Sequence, residues 1–232
     1  MEIIAEIGQN HNGEMGLALE LINKAKESGA DVAKFQLYDA RTLFSKENNE
    51  WFEYNCKTEI SREQLSILAD ECKKINIEFM ASVFDVERVG WTEEIGVRRY
   101  KIASRSINDK NLLRKISSLG KPIIASLGMW KQKAFPVIEG AKELDFLYCI
   151  SKYPAPLEDV KLAMVNFEQY SGYSDHTIGI TAAMAAFARG AKIVEKHFTL
   201  DKNMYGPDHF CSMTPGELKA IHQYRKELTQ CI

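Results

Sequence analysis

The sequence predicts a single-domain α/β protein with the (β/α)₈ architecture of a TIM barrel. Short apolar runs of strand length alternate eight times with longer helical stretches, a pattern typical of parallel strands joined by helices. The length of 232 residues is slightly below the usual size of such a barrel. A doubly wound open sheet is the alternative, but the turn after the first apolar run lacks the glycine spacing of a nucleotide-binding fold. We therefore assign one catalytic barrel domain to residues 1–232.

The predicted elements follow one another as strand–helix pairs. The strands are predicted at residues 3–7, 32–37, 77–84, 99–104, 122–127, 144–150, 170–174 and 192–198. Six helices are predicted at residues 17–28, 62–74, 86–95, 111–118, 180–189 and 215–229. Two more are predicted, one that ends near residue 143 and a short one that follows residue 156. Each strand is a short apolar run, and each helix is a longer stretch in which apolar and polar residues alternate at helical spacing.

The composition excludes several classes of protein. With 45% hydrophobic residues, 27% charged residues and a net charge of -2, the chain has no excess of basic residues for binding nucleic acid. No apolar segment is long enough to span a bilayer, and the N-terminus lacks a signal-peptide pattern. The cysteines are widely spaced and predict free thiols in a reducing compartment. We therefore expect a cytoplasmic protein that binds neither nucleic acid nor membrane.

Polar residues gather at the C-terminal ends of the predicted strands, where a parallel barrel carries its active site. Lys34 and Gln36 share one face of the second strand, and the opposite face is apolar, so both should point into the barrel. A lysine in so apolar a run is costly to bury without an anion, and the alternative is that it extends to solvent. Similarly placed residues are Glu6, Ser82, Phe84, Lys101, Ser151, Ser174, His176, Glu195 and His197.

Two histidines of this set end the seventh and eighth strands, which are neighbours in a barrel. His176 and His197 lack a local carboxylate, and two imidazoles alone can hold a divalent ion with open positions, which suits catalysis. The lysines suit a phosphate and a carboxylate, so the pattern predicts a small, doubly anionic substrate and a metal that acts as a Lewis acid. Asp175 is expected to orient a histidine from behind. His11 either caps its loop or lines the site, and His222 on the last helix should be structural.

Seven segments, in order over nearly the whole chain, carry a recognisable combination of motifs. They are Ile4-Ala5-Glu6-Ile7-Gly8-Gln9-Asn10-His11-Asn12-Gly13, Lys34-Phe35-Gln36, Lys101-Ile102-Ala103-Ser104, Tyr153-Pro154-Ala155-Pro156, Gly172-Tyr173-Ser174-Asp175-His176, Glu195-Lys196-His197-Phe198-Thr199 and Gly206-Pro207-Asp208-His209. This combination resembles the sialic acid synthase (N-acetylneuraminate synthase) family. The resemblance implies a transferase of sialic acid biosynthesis. Such an enzyme condenses phosphoenolpyruvate with an amino-sugar aldehyde, typically N-acetylmannosamine, and gives a nonulosonic 2-keto acid and phosphate.

The resemblance also implies roles for individual residues. His176 and His197 would bind Mn²⁺, with Mg²⁺ or Co²⁺ as alternatives, and the ion would polarise the sugar aldehyde. The phosphoenolpyruvate-binding residues would be Lys34, Ser82, Lys101, Ser104, Ser151, Tyr153 and Ser174. The sugar-binding residues would be Glu6, Gln36, Phe84 and Asp208, and the catalytic residues Glu6, Lys34, Lys101, His176, Glu195 and His197. Carbon 3 of the enol would attack the aldehyde, water would add to carbon 2, and phosphate would leave by C–O cleavage.

Two departures from the family pattern concern the acceptor and the partners. Many members carry a C-terminal antifreeze-like domain that reaches across a dimer, whereas this sequence ends at Ile232 after the last predicted helix. A homo-oligomer, or a separate protein with such a domain, is therefore considered as a partner. Arg105 and Ser106 stand where the family commonly has a small residue and then an acidic one, and Arg105 predicts an anionic or phosphorylated acceptor.

The alternative functions are a metal-dependent aldolase or hydrolase and a non-catalytic barrel that binds phosphoenolpyruvate or a sugar.

Overall fold

Eight parallel strands close into a barrel in the computed structural model, which describes residues 1–231. The strands are β1 (Glu2–Gly8), β2 (Val32–Leu37), β3 (Glu78–Val83), β4 (Tyr100–Ile102), β5 (Ile123–Ser126), β6 (Leu144–Cys149), β7 (Gly172–Asp175) and β8 (Ile193–His197). They pair in chain order, and β8 pairs with β1 to close the barrel. The predicted (β/α)₈ fold is confirmed.

The helices surround this barrel. They are α1 (Met15–Glu27), α2 (Ala40–Leu43), α3 (Phe52–Lys57), α4 (Arg62–Lys74), α5 (Val86–Glu94), α6 (Lys110–Ser117), α7 (Leu157–Val160), α8 (Thr181–Ala188) and α9 (Pro215–Cys231). The short helices α2 and α3 lie between residues 37 and 62, where the sequence analysis predicted no helix. Within residues 1–231, no helix has the length and apolar character needed to cross a membrane.

The prediction of a helix that ends near residue 143 is wrong. Residues 127–143, between β5 and β6, form turns and irregular backbone instead. Pro136 lacks the backbone N–H that a helix interior requires, and Gly140 has a left-handed φ of 82° that ends any regular turn. Phe135 is held by tertiary contacts, since its ring lies 5.0 Å from Phe146 and 4.8 Å from Tyr170 between centroids.

Strand alternation divides the apolar core into two parts. Outward-facing residues such as Phe35 pack with helix residues such as Leu21 and Leu65 in the layer between sheet and helices. Inside the barrel, a separate buried cluster consists of Ile4, Val32, Met80, Ile124, Leu147 and Ile193. We call this inner cluster the apolar plug. It separates the polar side chains at the C-terminal mouth from the ion pairs of Arg99 with Glu2 and Glu78 at the other end of the barrel.

His11 caps the loop after β1. Its Nδ1 accepts a hydrogen bond from the Gly13 backbone N–H at 3.2 Å, and its ring packs at 6.1 Å from the outward-facing ring of Phe35. The side chain is buried, and burial lowers the pKa of His11 to about 4. His222 on α9 lies beside Arg225, with 2.8 Å between His222 Nδ1 and Arg225 Nη2, as expected for a structural residue.

We expect Gly172→Ala to destabilise the barrel, because β7 and β8 approach too closely at this position for a side chain. A Cβ atom at Gly172 would lie 2.0 Å from the carbonyl oxygen of Ile193. Overpacking of this kind costs about 1–3 kcal/mol in the free energy of unfolding, which urea denaturation would measure. Gly90→Ala is the matched control, since no described atom outside the α5 backbone lies within 4 Å of its Cβ. The control should gain about 0.5–1 kcal/mol, and equal stability of the two variants would contradict the prediction.

We expect the protein to lose stability between pH 6.5 and 4 partly through His11. Its pKa is lowered from 6.5 to about 4, so in this interval the unfolded chain binds a proton that the folded chain does not. The contribution of the neutral ring is complete above pH 6.5 and is lost as the pH falls towards 4. At about 1.4 kcal/mol per pH unit, the interval amounts to roughly 3 kcal/mol.

His11→Asn tests this assignment, because an asparagine oxygen can still accept the Gly13 N–H. Urea unfolding of both proteins at pH 7 and pH 4.5 should show a smaller difference between the two pH values in the variant. A variant that loses as much stability as the unaltered protein would show that His11 does not contribute to the pH dependence.

Candidate active site

Every residue predicted for the site lines one cavity at the C-terminal mouth of the barrel. The cavity has a volume of about 640 Å³, within the range of small-molecule sites. Its predicted residues are Glu6, Lys34, Gln36, Ser82, Phe84, Lys101, Ser104, Ser151, Tyr153, Ser174, His176, Glu195, His197 and Asp208. The strand alternation that directs the apolar plug inwards also directs most of these side chains into the cavity.

Lys34 is the centre of a buried ionic network. Its Nζ lies 2.6 Å from Glu6 Oε2 and 3.4 Å from Glu195 Oε2, and it donates to Ser82 Oγ at 3.0 Å. Gln36 Nε2 donates to the other oxygen of Glu6 at 3.0 Å. Burial would lower the pKa of Lys34, but Glu195 and Glu6 outweigh it and the pKa is raised. The amine is therefore charged and shared between two carboxylates.

Lys101 is neutralised less completely than Lys34. Its Nζ donates to Ser126 Oγ at 2.8 Å and lies 3.5 Å from Glu195 Oε1, which also accepts from Ser174 Oγ at 2.8 Å. Burial lowers the pKa of Lys101 despite that carboxylate. Burial would raise the pKa of Glu195, but Lys101 and Lys34 outweigh it and the pKa is lowered. An anion placed beside Lys101 would supply the missing negative charge, so this part of the cavity favours anions.

His176 and His197 face the same cavity from the ends of β7 and β8. Their ring centroids are 5.8 Å apart. His176 Nδ1 lies 2.8 Å from the carbonyl oxygen of Ile150, which assigns a proton to Nδ1. Burial would lower the pKa of His176, but Cys149 and this carbonyl outweigh it and the pKa is raised. His197 Nδ1 is buried without a hydrogen-bond partner in residues 1–231 and lies 3.9 Å from Asp208 Oδ2. Burial lowers the pKa of His197, so its ring is neutral at pH 7.

These two rings fit a divalent ion. A buried ring nitrogen without a partner and a second ring fixed through its other nitrogen are what a metal ligand pair requires. Among the described residues, no group of three or more His, Cys, Asp or Glu side chains is arranged to hold a metal. An ion held by these two rings would have two protein ligands and open positions for substrate or water, and its presence stays a prediction.

The remaining predicted residues surround the charged centre. Tyr153 covers one histidine, with 4.1 Å between the ring centroids of Tyr153 and His176. Ser104 Oγ accepts from the Gly128 N–H at 3.1 Å, which ties the ends of β4 and β5 together. Ser151 lines the cavity just beyond β6. These three hydroxyl-bearing residues therefore line the same cavity as the two lysines.

The outer wall of the cavity contains residues that the sequence did not single out. Phe44, Asn49 and Trp51 come from the segment between β2 and α4 and line the mouth. Arg105 reaches this wall from the turn after β4, with its guanidinium 5.1 Å from the Phe44 ring centroid. Arg105 Nη2 donates to the Leu43 carbonyl at 3.4 Å, and no described carboxylate forms a salt bridge with it.

Ser126 and Cys149 are two further cavity residues that the sequence interpretation missed. Cys149 Sγ lies 3.7 Å from His176 Nδ1, and the pKa of the thiol is lowered because His176 and Lys101 outweigh the effect of burial. Both residues stand two positions after a residue of the apolar plug, Ile124 or Leu147, and this spacing could have identified them.

Asp175 contacts no histidine ring among the described residues, so it does not orient one directly as expected. Asp175 points to the outer face of the sheet, where its carboxylate pairs with Lys196 Nζ at 3.0 Å and accepts from the Thr177 N–H at 2.9 Å and the Tyr173 hydroxyl at 3.1 Å. Because β7 and β8 are in register at Asp175 and Lys196, the lysine lies where a histidine was expected.

Comparison with known proteins agrees with this geometry. Residues 21–232 match the NeuB family. An uncharacterised protein of Methanocaldococcus jannaschii is 42% identical over 232 residues, which cover 94% of this chain and 68% of that protein. The N,N'-diacetyllegionaminic acid synthase of Campylobacter jejuni is 41% identical over 246 residues, covering 94% of this chain and 73% of the synthase.

A solved structure extends the similarity to the whole barrel. The N-acetylneuraminic acid synthetase of Leptospira borgpetersenii, crystallised in complex with citrate, matches with a TM-score of 0.90 and 32% identity, covering 99% of this chain and 84% of that one. The resemblance to sialic acid synthases read from the motifs is thereby confirmed. The matched family extends over most of the chain, so this protein belongs to the NeuB family.

Proposed function

We propose that this protein condenses phosphoenolpyruvate with an amino-sugar aldose, forming a nonulosonic 2-keto acid and releasing phosphate. As a NeuB family member with a relative named as a synthase, the chain is an enzyme. The observation that carries the proposal is the pair of buried lysines in one cavity with two buried histidines, with Lys101 short of negative charge. A dianion beside a carbonyl compound is the substrate combination that this arrangement fits.

The lysines would bind the phosphate and the carboxylate of phosphoenolpyruvate. Lys34 and Lys101 approach from adjoining parts of the barrel, and the hydroxyls of Ser82 and Ser126 already contact their amines. Glu195 lies between the two lysines and holds both in place. Preorganised cations in a buried site stabilise an anion strongly, since little solvent competes with them.

The histidines would hold a divalent ion, Mn²⁺ by preference, with Mg²⁺ or Co²⁺ as alternatives. When bound by His176 and His197, such an ion supplies Lewis acidity that polarises the acceptor aldehyde. Glu6, Gln36 and Asp208 would orient the acceptor hydroxyls or the water, since all three line the cavity close to the histidines. Carbon 3 of phosphoenolpyruvate then attacks the aldehyde carbon, water adds to carbon 2, and the C–O bond to phosphate breaks. The expected cytoplasmic location stays a prediction.

We expect the protein to release phosphate from phosphoenolpyruvate when Mn²⁺ and a hexosamine acceptor are present. Addition of EDTA, which chelates the metal ion, should abolish this release. Lys101→Met should lower kcat/KM for phosphoenolpyruvate by about 10- to 100-fold, because one hydrogen bond to a charged group is lost. Lys121→Met is the matched control, since Lys121 pairs with Glu93 on the outer side of the barrel. A phosphate-release assay coupled to detection of the 2-keto acid would measure both.

Two of the alternative functions, the non-catalytic barrel and the hydrolase, give different results in the same assay. Binding of phosphoenolpyruvate without phosphate release from any acceptor would indicate a non-catalytic barrel. Phosphate release without a new carbon–carbon bond would indicate a hydrolase.

A second part of the proposal concerns the chemical class of the acceptor sugar. Arg105 lines the outer cavity and has an aromatic contact but no carboxylate partner among the described residues. We propose that the acceptor carries a negative charge, such as a phosphate group, that this guanidinium contacts.

We expect Arg105→Ala to reduce the preference for an anionic acceptor by about tenfold. This is the lower end of the range for losing a hydrogen bond to a charged group, because Arg105 is exposed to solvent. The measurement is kcat/KM for N-acetylmannosamine and for its 6-phosphate, at low and at high salt. Arg41→Ala, an exposed arginine of α2 that does not line the cavity, is the control. Turnover with neutral sugars alone in the unaltered protein would exclude this acceptor class and leave the condensation itself intact.

A further inference from the structure

A fully buried ion pair lies directly behind the two histidines. Asp175 on β7 and Lys196 on β8 are cross-strand partners, their side chains are both 0% exposed, and 3.0 Å separates Lys196 Nζ from Asp175 Oδ2. A pair that is completely removed from water often contributes no more stability than apolar residues of similar volume. A role in fixing the relative position of two elements is the better-supported use of such a pair.

This ion pair also holds the backbone that follows β7. Lys196 Nζ donates to the carbonyl oxygen of Thr177 at 2.6 Å, and the Thr177 N–H donates to Asp175 Oδ1 at 2.9 Å. Asp175 and Thr177 flank His176, so both neighbours of this histidine are bonded to the same unit. We call the three residues Asp175, Lys196 and Thr177 the strand-end clamp.

The clamp acts where the sheet itself stops. The β7–β8 pairing ends at Asp175 and Lys196, so no β8 partner holds the residue that carries the first imidazole. His176 is bonded on its other side, since its carbonyl accepts the Ala155 N–H at 2.9 Å and its Nδ1 contacts Ile150. Lys196 immediately precedes His197, so the clamp connects the backbone of one histidine to that of the other.

We infer that Lys196 is a positioning residue that sets the spacing of His176 and His197 for a shared metal ion. The inference rests on the proposed function, in which these two histidines are the protein ligands. Without the amine, Thr177 O and Asp175 Oδ2 lose their common partner, and the chain after β7 can move relative to β8. The 5.8 Å between the two ring centroids is then no longer maintained from behind.

The test compares metal affinity with thermal stability in Lys196→Met, which keeps the length of the side chain and removes its charge. Mn²⁺ binding to the complete protein is measured by EPR titration of free Mn²⁺, well below the melting temperature of each variant. We expect the Kd for Mn²⁺ to rise about 10- to 100-fold, as for other residues that orient metal ligands. Asp175→Asn keeps an acceptor for the Thr177 N–H and should show a smaller rise, and it replaces Lys196→Met if that variant does not fold.

A partly buried set of ion pairs provides the control for stability. Arg99 pairs with Glu78 at 2.8 Å and with Glu2 at 2.7 Å at the opposite end of the barrel. Arg99→Met should lower the melting temperature while leaving the Kd for Mn²⁺ unchanged. A purely structural role for Lys196 predicts the same result for Lys196→Met, so an unchanged Kd in that variant would overturn the inference.

One more variant separates failure of the inference from failure of the proposed function. His176→Gln should abolish Mn²⁺ binding if this histidine is a ligand. Absence of binding in the unaltered protein, or full binding in His176→Gln, would overturn the metal site and the clamp together. Loss of binding in His176→Gln with an unchanged Kd in Lys196→Met would overturn the clamp alone.

Discussion

The charge balance inside the barrel mouth is the constraint on which the rest of the structure depends. Lys34, Lys101, Glu6 and Glu195 are all buried directly above the apolar plug. Ions in such a place must be paired, and Glu195 meets this need by contacting both lysines. The pairing is unequal, however, because Lys34 has two carboxylates within 3.4 Å and Lys101 has one at 3.5 Å. The network is thus stable without a ligand and still attracts an anion at Lys101.

The position of this charged layer follows from the two-residue period of the strands. On six strands a plug residue is followed two positions later by a polar or thiol side chain: Glu6, Lys34, Ser82, Ser126, Cys149 and Glu195. The plug excludes water from below, and the pairing of adjacent strands brings the polar groups to one level. A shift of one residue in β1 or β2 would exchange Glu6 or Lys34 for an apolar residue, so strand register and charge balance depend on each other.

The sequence predicts this central part because alternation and burial act on each strand separately. Lys34 and His197 could be directed inwards from their own neighbours alone. The features that the sequence analysis did not predict depend on tertiary contacts. Asp175 contacts Lys196 rather than a histidine because of the β7–β8 register, and Phe135 lies in an irregular segment because it packs on β6. Trp51 reaches the cavity through ring contacts with Tyr205, at 5.4 Å between centroids, which no local pattern reports.

The two halves of the proposed site are therefore held by different forces. The half that binds the dianion stands on strands, and its geometry is fixed by the closed barrel and by ion pairs that cannot be removed singly without leaving a buried charge. The outer wall on the proposed acceptor side stands on connecting segments, where Trp51 is held by ring contacts, one of them with Tyr205, and Arg105 by a ring contact and one backbone hydrogen bond. We expect replacement of Trp51, Tyr205 or Arg105 to cost little in the core, because none of them belongs to the plug or to the charged layer. The physical arrangement thus allows the acceptor to change while the chemistry at the lysines stays the same.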